Sequence, residues 1–170
     1  MKVRSLLLLA GVALALPRPG WSSDEAQLRA AFVYRFAQFT QWPSEPTGGL
    51  TLCGAQLGTG EDALRRLGGR ALAGLPLRYR SVDTPREAAQ RCQVLVLGQG
   101  DGASLRRWVQ GLAEVPVLVV GTAPESLRAG VDIALLTEPQ GLAFSINHSE
   151  AKRRGLTLSG QMLKLAREVR

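Results

Sequence analysis

Apolar and polar positions along the chain fall into alternating helix-like and strand-like segments. Leu28, Phe32, Phe36 and Phe39 recur at spacings of four, four and three, which places them on one face of a helix. Asp24 and Glu25 suit its first turn, where negative side chains meet the positive end of the helix dipole, and Trp42-Pro43 ends it. A loop over 44–49 leads to an apolar strand over 50–55. A short helix over 61–67 closes at Gly68-Gly69, followed by a strand over 75–82 and a helix over 85–91. Residues 92–98 are nearly all apolar (Val94, Leu95, Val96, Leu97), the pattern of a strand buried on both faces. A helix over 104–113 precedes a second buried strand over 116–121. Strands over 131–136 and 142–147 are joined by a turn at 137–141. A last helix carries Leu158, Met162, Leu165 and Val169 on one stripe.

Short buried strands alternating with helices predict an α/β fold, a single domain built on a mostly parallel sheet with helices on both faces. The 170 residues are enough for one core, and no internal repeat or interior linker divides them. A charged fraction of 21% beside 45% hydrophobic residues excludes a disordered chain.

The amino terminus follows another pattern. Lys2 and Arg4 precede an apolar run from Leu6 to Leu16, then Pro17, Pro19 and Gly20. A charged start, a short apolar stretch and a helix-breaking exit read as a secretory signal peptide over 1–22, with the folded domain over 23–170. The apolar run is shorter than the roughly 20 residues of a membrane span. Its removal takes away Lys2, Arg4 and Arg18 and no acid, which lowers the formal charge from +7 to +4. The remaining excess is scattered in pairs (Arg65-Arg66, Arg106-Arg107, Arg153-Arg154), each expected on a solvated helix face. A nucleic-acid partner needs a concentrated basic stripe, so that class is set aside.

Candidate chemistry is sparse. Two cysteines and one histidine cannot build a four-cysteine zinc site or a multi-histidine centre, so no metal and no cofactor is expected. Cys53 and Cys92 each lie in a predicted strand of an exported chain, and they are expected to form a structural disulfide. His148 is the only base available to a serine or cysteine nucleophile, yet no G-x-S-x-G elbow exists. Asn147-His148-Ser149 are good cap formers at a strand–helix junction. Gly98-x-Gly100-x-x-Ala103 matches the relaxed dinucleotide fingerprint. The next strand, however, ends at Gly121 with no acid for the ribose, and Asp101 would repel phosphate; a plain strand–helix turn is the reading. No catalytic residue is assigned. Among the aromatics, Phe32, Phe36 and Phe39 are expected in the core. Tyr34, on another face of that helix, and Trp42, in the exit turn, are the candidates for partner binding.

Several segments together resemble one family. Residues 32–43 (FVYRFAQFTQWP) resemble the aromatic opening helix of the YfiR family of periplasmic proteins. Leu52-Cys53-Gly54 and Arg91-Cys92-Gln93-Val94-Leu95 are similar to its two cysteine-bearing strands. Residues 130–133 and Phe144-Ser145-Ile146-Asn147 resemble later strands, and 155–166 its terminal helix motif. The resemblance implies a non-enzymatic periplasmic repressor. Such proteins hold an inner-membrane diguanylate cyclase of YfiN type inactive through its periplasmic sensor region, which lowers cyclic di-GMP and restrains biofilm formation. An outer-membrane lipoprotein of YfiB type can sequester them, and homodimerisation is a further family analogy. The family's amino-terminal disulfide carries over to Cys53 and Cys92; the second cystine of its best-known members has no counterpart here. The competing readings are a periplasmic small-ligand sensor, with its site at the strand carboxyl ends, and a hydrolase using His148.

Overall fold

The hydroxyl of Ser22 accepts a hydrogen bond from the Glu25 N–H at 3.2 Å and starts helix α1 (Ser23–Gln38). The computed structural model describes residues 22–170, so the leader expected over 1–22 lies, apart from Ser22, outside the described residues. Beyond α1 come β1 (Thr40–Gln41), β2 (Leu50–Ala55), α2 (Glu61–Arg65), β3 (Ala71–Leu72), β4 (Leu75–Ser81), α3 (Pro85–Arg91), β5 (Val94–Leu97) and α4 (Gly102–Gly111). The chain continues through β6 (Leu118–Gly121), α5 (Ser126–Ala129), β7 (Ile133–Glu138), β8 (Gly141–Ile146), α6 (His148–Arg153), β9 (Thr157–Leu158), α7 (Gly160–Leu165) and β10 (Glu168–Val169).

Eight of these strands form one sheet in the order β10-β8-β7-β6-β5-β2-β4-β3. The run from β4 to β7 is parallel, as expected. The turn at 137–141 makes β7 and β8 an antiparallel hairpin, with Glu138 opposite Gly141. Strand alternation divides the interior in two. Leu52, Val94, Val96, Leu118 and Val120 face a layer with α1, α2, α6 and α7. Cys53, Leu95, Leu97 and Val119 face α3, α4 and α5. Helices therefore cover both faces of the sheet.

Three expectations are corrected. The stripe Leu28, Phe32, Phe36, Phe39 is not the core face of α1: only Phe36 is buried, and Leu28 is 47% exposed. The helix meets the sheet through Ala26, Ala30, Val33 and Ala37, because small side chains let its axis come close, and the larger stripe is turned to the flank. The last apolar stripe is not one helix. Ser159 caps α7, its hydroxyl accepting from the Met162 N–H at 3.2 Å, and the chain is extended again at Ala166. Leu158 instead pairs with Thr40 in the separate β1–β9 ribbon, and Val169 joins the sheet edge beside Ile146. Finally, Arg154 is not solvated. It is 2% exposed and its guanidinium meets the buried carboxylate of Asp132.

Candidate functional site

The displaced stripe of α1 builds an open, largely apolar groove. Leu28, Phe32, Phe36 and Phe39 form one wall of a groove of about 480 Å³, facing Met162 and Leu165 of α7 and Phe144 of β8. Its floor is aromatic and tightly set: the Phe36 and Phe144 ring centroids lie 5.0 Å apart edge to face, and Phe32 packs 6.1 Å from Phe144. The rims are wet. Leu165 is 68% exposed and, with Leu28, one of three large hydrophobics among the described residues that stand out in water. Arg35 is the only charged residue lining the groove, and its Nη1 donates to the Gln38 side chain at 2.7 Å. An exposed apolar groove with a polar rim is what a protein-binding surface offers.

A buried anchor fixes the α1 wall. Arg29 faces the sheet, where its Nη1 donates to the Leu135 carbonyl at 2.9 Å and its Nη2 to Glu25 at 2.8 Å. The Thr137 hydroxyl donates to the same Glu25 carboxylate at 2.7 Å. That hydrogen bond first, and the Arg29 guanidinium next, hold the Glu25 carboxyl below its ordinary range. The network ties the first turns of α1 to β7, so the groove wall is rigid before any partner arrives.

Tyr34 and Trp42 lie elsewhere, and neither lines this groove. The Tyr34 hydroxyl donates to the Ala71 carbonyl at 2.7 Å, across to β3. The Trp42 indole N–H donates to the Gln93 carbonyl at 3.2 Å, and its ring lines two cavities of about 360 and 530 Å³. Both are half-buried and both are tied to the chain's own backbone. Leu165, Met162 and Phe144 were the residues that sequence reasoning missed. The available signal was a second stripe on α1: Ala26, Ala30, Val33 and Ala37 also follow helical spacing, so the larger stripe was free to face outward.

The other motifs resolve into structure. Asn147 caps α6, accepting from the Glu150 N–H at 3.3 Å, and the main-chain N–H of His148 donates to the Arg170 carbonyl at 2.8 Å. Burial, and then Lys152, lower the His148 pKa. Asp101 caps α4, accepting from the Ser104 N–H at 2.7 Å, where a pyrophosphate would need to sit. The chain runs from β2 to β4 on one side and then to β5 on the other, so the topological switch point lies where β2 and β5 end. There the two loops are joined by main chain, Gly98 N–H donating to the Ala55 carbonyl and Gln99 N–H to the Gln56 carbonyl, each at 2.9 Å, and a cavity of about 310 Å³ lined by Gln56, Asp83, Ser104 and Arg107 opens beside them. A Cβ at Gly98 would stand 2.1 Å from the Gln56 oxygen, whereas one at Gly100 would meet only the end of the Gln56 side chain, at 3.1 Å. Gly98→Ala should therefore destabilise by about 1–3 kcal/mol and Gly100→Ala by clearly less. Urea unfolding of both variants checks this; equal losses would remove backbone contact as the reason for Gly98.

Cys53 of β2 is bonded to Cys92, at the end of α3, with Cα atoms 5.8 Å apart and both sulfurs in the second layer of the core. No group of three or more potential metal ligands exists among the described residues. Nor is any described helix long and apolar enough to cross a membrane.

Comparison with known proteins extends this picture. The family model described as DUF4154, YfiR/HmsC-like, matches residues 26–167. Proteins of curated function yield no match. A solved structure of a conserved domain protein from Vibrio cholerae has a TM-score of 0.58 at 12% identity, over 85% of this chain and 60% of that one. A second, described as the ABC domain in complex with L-Trp from Streptococcus pneumoniae, has a TM-score of 0.55 at 11% identity, over 86% of this chain and 60% of that one. The chain thus spans about 60% of the length of both, and at such identities the likeness is one of fold.

Proposed function

This chain belongs to the YfiR/HmsC-like family of periplasmic regulators in the cyclic di-GMP pathway, and on that premise we propose that it represses an inner-membrane diguanylate cyclase of YfiN type by binding its periplasmic sensor region. The family is regulatory rather than catalytic. The observation that carries the proposal is a family match over almost the whole described chain, joined to a rigid aromatic groove with exposed rims. Repression requires only that the groove bind the inactive form of the cyclase more tightly than the active one, because a partner shifts an equilibrium through differential affinity alone. An outer-membrane lipoprotein of YfiB type would raise cyclic di-GMP by competing for the repressor, and a homodimer is a further assembly open to it.

Co-expression with the membrane cyclase, followed by assay of cyclic di-GMP, tests the proposal. The wild type should lower the nucleotide. Leu28→Glu with Leu165→Glu should raise the Kd for the cyclase sensor region at least tenfold, as expected for apolar anchors at an interface centre, with little change in Tm because both residues are exposed. An unchanged nucleotide level with wild-type protein and cyclase both present would remove the idea. Tyr34→Ala and Trp42→Ala form a second series, since those two residues were the expected contacts.

A small-ligand sensor is the competing reading. It is the weaker one, because at the switch point, where this fold class takes ligands, the loops are joined by main-chain hydrogen bonds and the cavity beside them, about 310 Å³, is at the small end for a ligand pocket.

A further inference from the structure

The second layer carries a feature that the groove does not explain. On β4, β3 covers only Leu75 and Pro76, and the turn at Gly69-Arg70 closes on Leu77 through two main-chain hydrogen bonds of 2.9 and 2.8 Å. Strand alternation then directs the main-chain N–H and C=O of Tyr79 and Ser81 outward. On that outer side neither residue has a main-chain hydrogen-bond partner among the described residues, and only Gly68 stands near, where an added Cβ would lie 3.7 Å from the Tyr79 main-chain nitrogen. This open edge is flanked by cations. Arg78 and Arg80 lie on the face of β4 opposite Leu77 and Tyr79, in register with Thr51 and Cys53. Both are exposed, and neither meets a carboxylate among the described residues. The Arg78 guanidinium reaches the loop at Gly49, where an added Cβ would come within 3.0 Å of its Nη1. Arg91 stands exposed and equally unpaired one residue before Cys92, whose sulfur is joined to Cys53. Of the nearby acids, Glu87 accepts from the Asp83 N–H and Asp101 caps α4, while Asp83, exposed two residues beyond Ser81, is a negative charge close to this edge, against the three arginines.

We propose that this open edge of β4, with Arg78, Arg80 and Arg91, docks an acidic extended segment of a protein partner, which adds as a strand at Tyr79–Ser81 and sets its carboxylates against the guanidinium groups. Guanidinium forks match carboxylates in a bidentate way, and an unpaired strand edge supplies the main-chain hydrogen bonds of strand addition. A membrane surface fits less well. The exposed large hydrophobics, Leu28, Leu165 and Val169, belong to α1, α7 and β10, so nothing beside the arginines would enter a bilayer. The edge is in a different layer from the α1–α7 groove and stands independently of what that groove binds.

Fluorescence anisotropy on the full chain at physiological salt tests the proposal with a labelled ten-residue peptide alternating Glu and Thr. A Lys–Thr peptide, an N-methylated Glu–Thr peptide that cannot complete a ladder, and phosphatidylglycerol vesicles serve as comparisons. The Glu–Thr peptide should bind, the Lys–Thr peptide should not, and N-methylation should weaken binding about tenfold, the loss expected when main-chain hydrogen bonds are removed. Arg78→Gln with Arg80→Gln should weaken it about fivefold or more, as two desolvated charge pairs would, while Arg106→Gln with Arg107→Gln on α4 should not. No binding, indifference to N-methylation, equal loss in both arginine variants, or tighter binding of the vesicles would each overturn the proposal. The arginines would then be guards that keep a bare edge from pairing with other chains.

Discussion

Replacing Cys53 and Cys92 together by Ala should lower the stability of the protein by about 4 kcal/mol. The bridge joins residues 39 apart in sequence, and holding such a loop closed removes that much conformational freedom from the unfolded chain. Both sulfurs are buried between β2 and α3, so lost packing adds to the effect. Alanine is the right replacement, because serine would bury an unpaired hydroxyl and confuse two causes. For a domain of this size the loss corresponds to roughly 10 °C in Tm. Reduction of the wild-type protein should reproduce the shift, and any weakening of the proposed repression would then come through loss of folded protein, since the groove lies in the other layer. Calorimetry of oxidised, reduced and alanine forms checks this. Two free thiols found by mass spectrometry of the protein as isolated under non-reducing conditions would sink it.

Where local chemistry and tertiary context agree, the sequence reading is close to the structure. Thr84 and Pro85 supply a cap and a first-turn residue, and α3 occupies 85–91 as expected. The apolar run at 50–55 becomes β2 because a central parallel strand needs apolar residues on both faces. The turn at 137–141 gives a hairpin, and the expected pairing of Cys53 with Cys92 is present, although Cys92 ends α3 two residues before β5 rather than lying in a strand. Legibility failed where one period served two purposes. On α1 two apolar stripes compete, and the stripe of smaller residues wins the sheet because it allows closer packing. That choice turns the aromatic stripe into a groove wall, so the candidate surface was visible as residues but not as a surface. At the carboxyl end, four apolar residues at helical spacing belong to three elements, because the Ser159 cap and the extended backbone at Ala166 interrupt them. Two-residue strands such as β1, β9 and β10 carry no periodic signal at all. Buried charge was the least legible feature, since an arginine reads as solvated until its partner, distant in sequence, is known.

Arg154→Met should cost about 3–5 kcal/mol, because it strands a carboxylate in the core rather than removing a surface charge. Asp132 and Arg154 have no exposed side-chain surface. The carboxylate accepts from Arg154 Nε at 3.1 Å and from the Val119 N–H at 2.7 Å, and Arg154 Nη1 donates to the Leu112 carbonyl. The pair thereby ties the α6 end of the chain to β6 and to the end of α4. Burial pushes the Asp132 carboxyl up from 3.8 to about 6, against the opposing pull of Arg154. Between those values the folded protein holds a proton that the unfolded chain has released, so wild-type stability should fall as pH rises from about 4 to about 6 and level off above. Without the guanidinium the folded carboxyl rises further, and the fall continues past neutral pH. The penalty of Arg154→Met should therefore be larger at pH 8 than at pH 5, which urea unfolding at the two values measures directly. Asp132→Ala combined with Arg154→Met should lose less than the sum of the two single changes, because the uncompensated charge is gone and only the Val119 and Leu112 main-chain groups remain unpaired. A penalty independent of pH, or strict additivity in the double variant, would assign the effect to packing around the Arg154 stem and remove the ion pair as its cause.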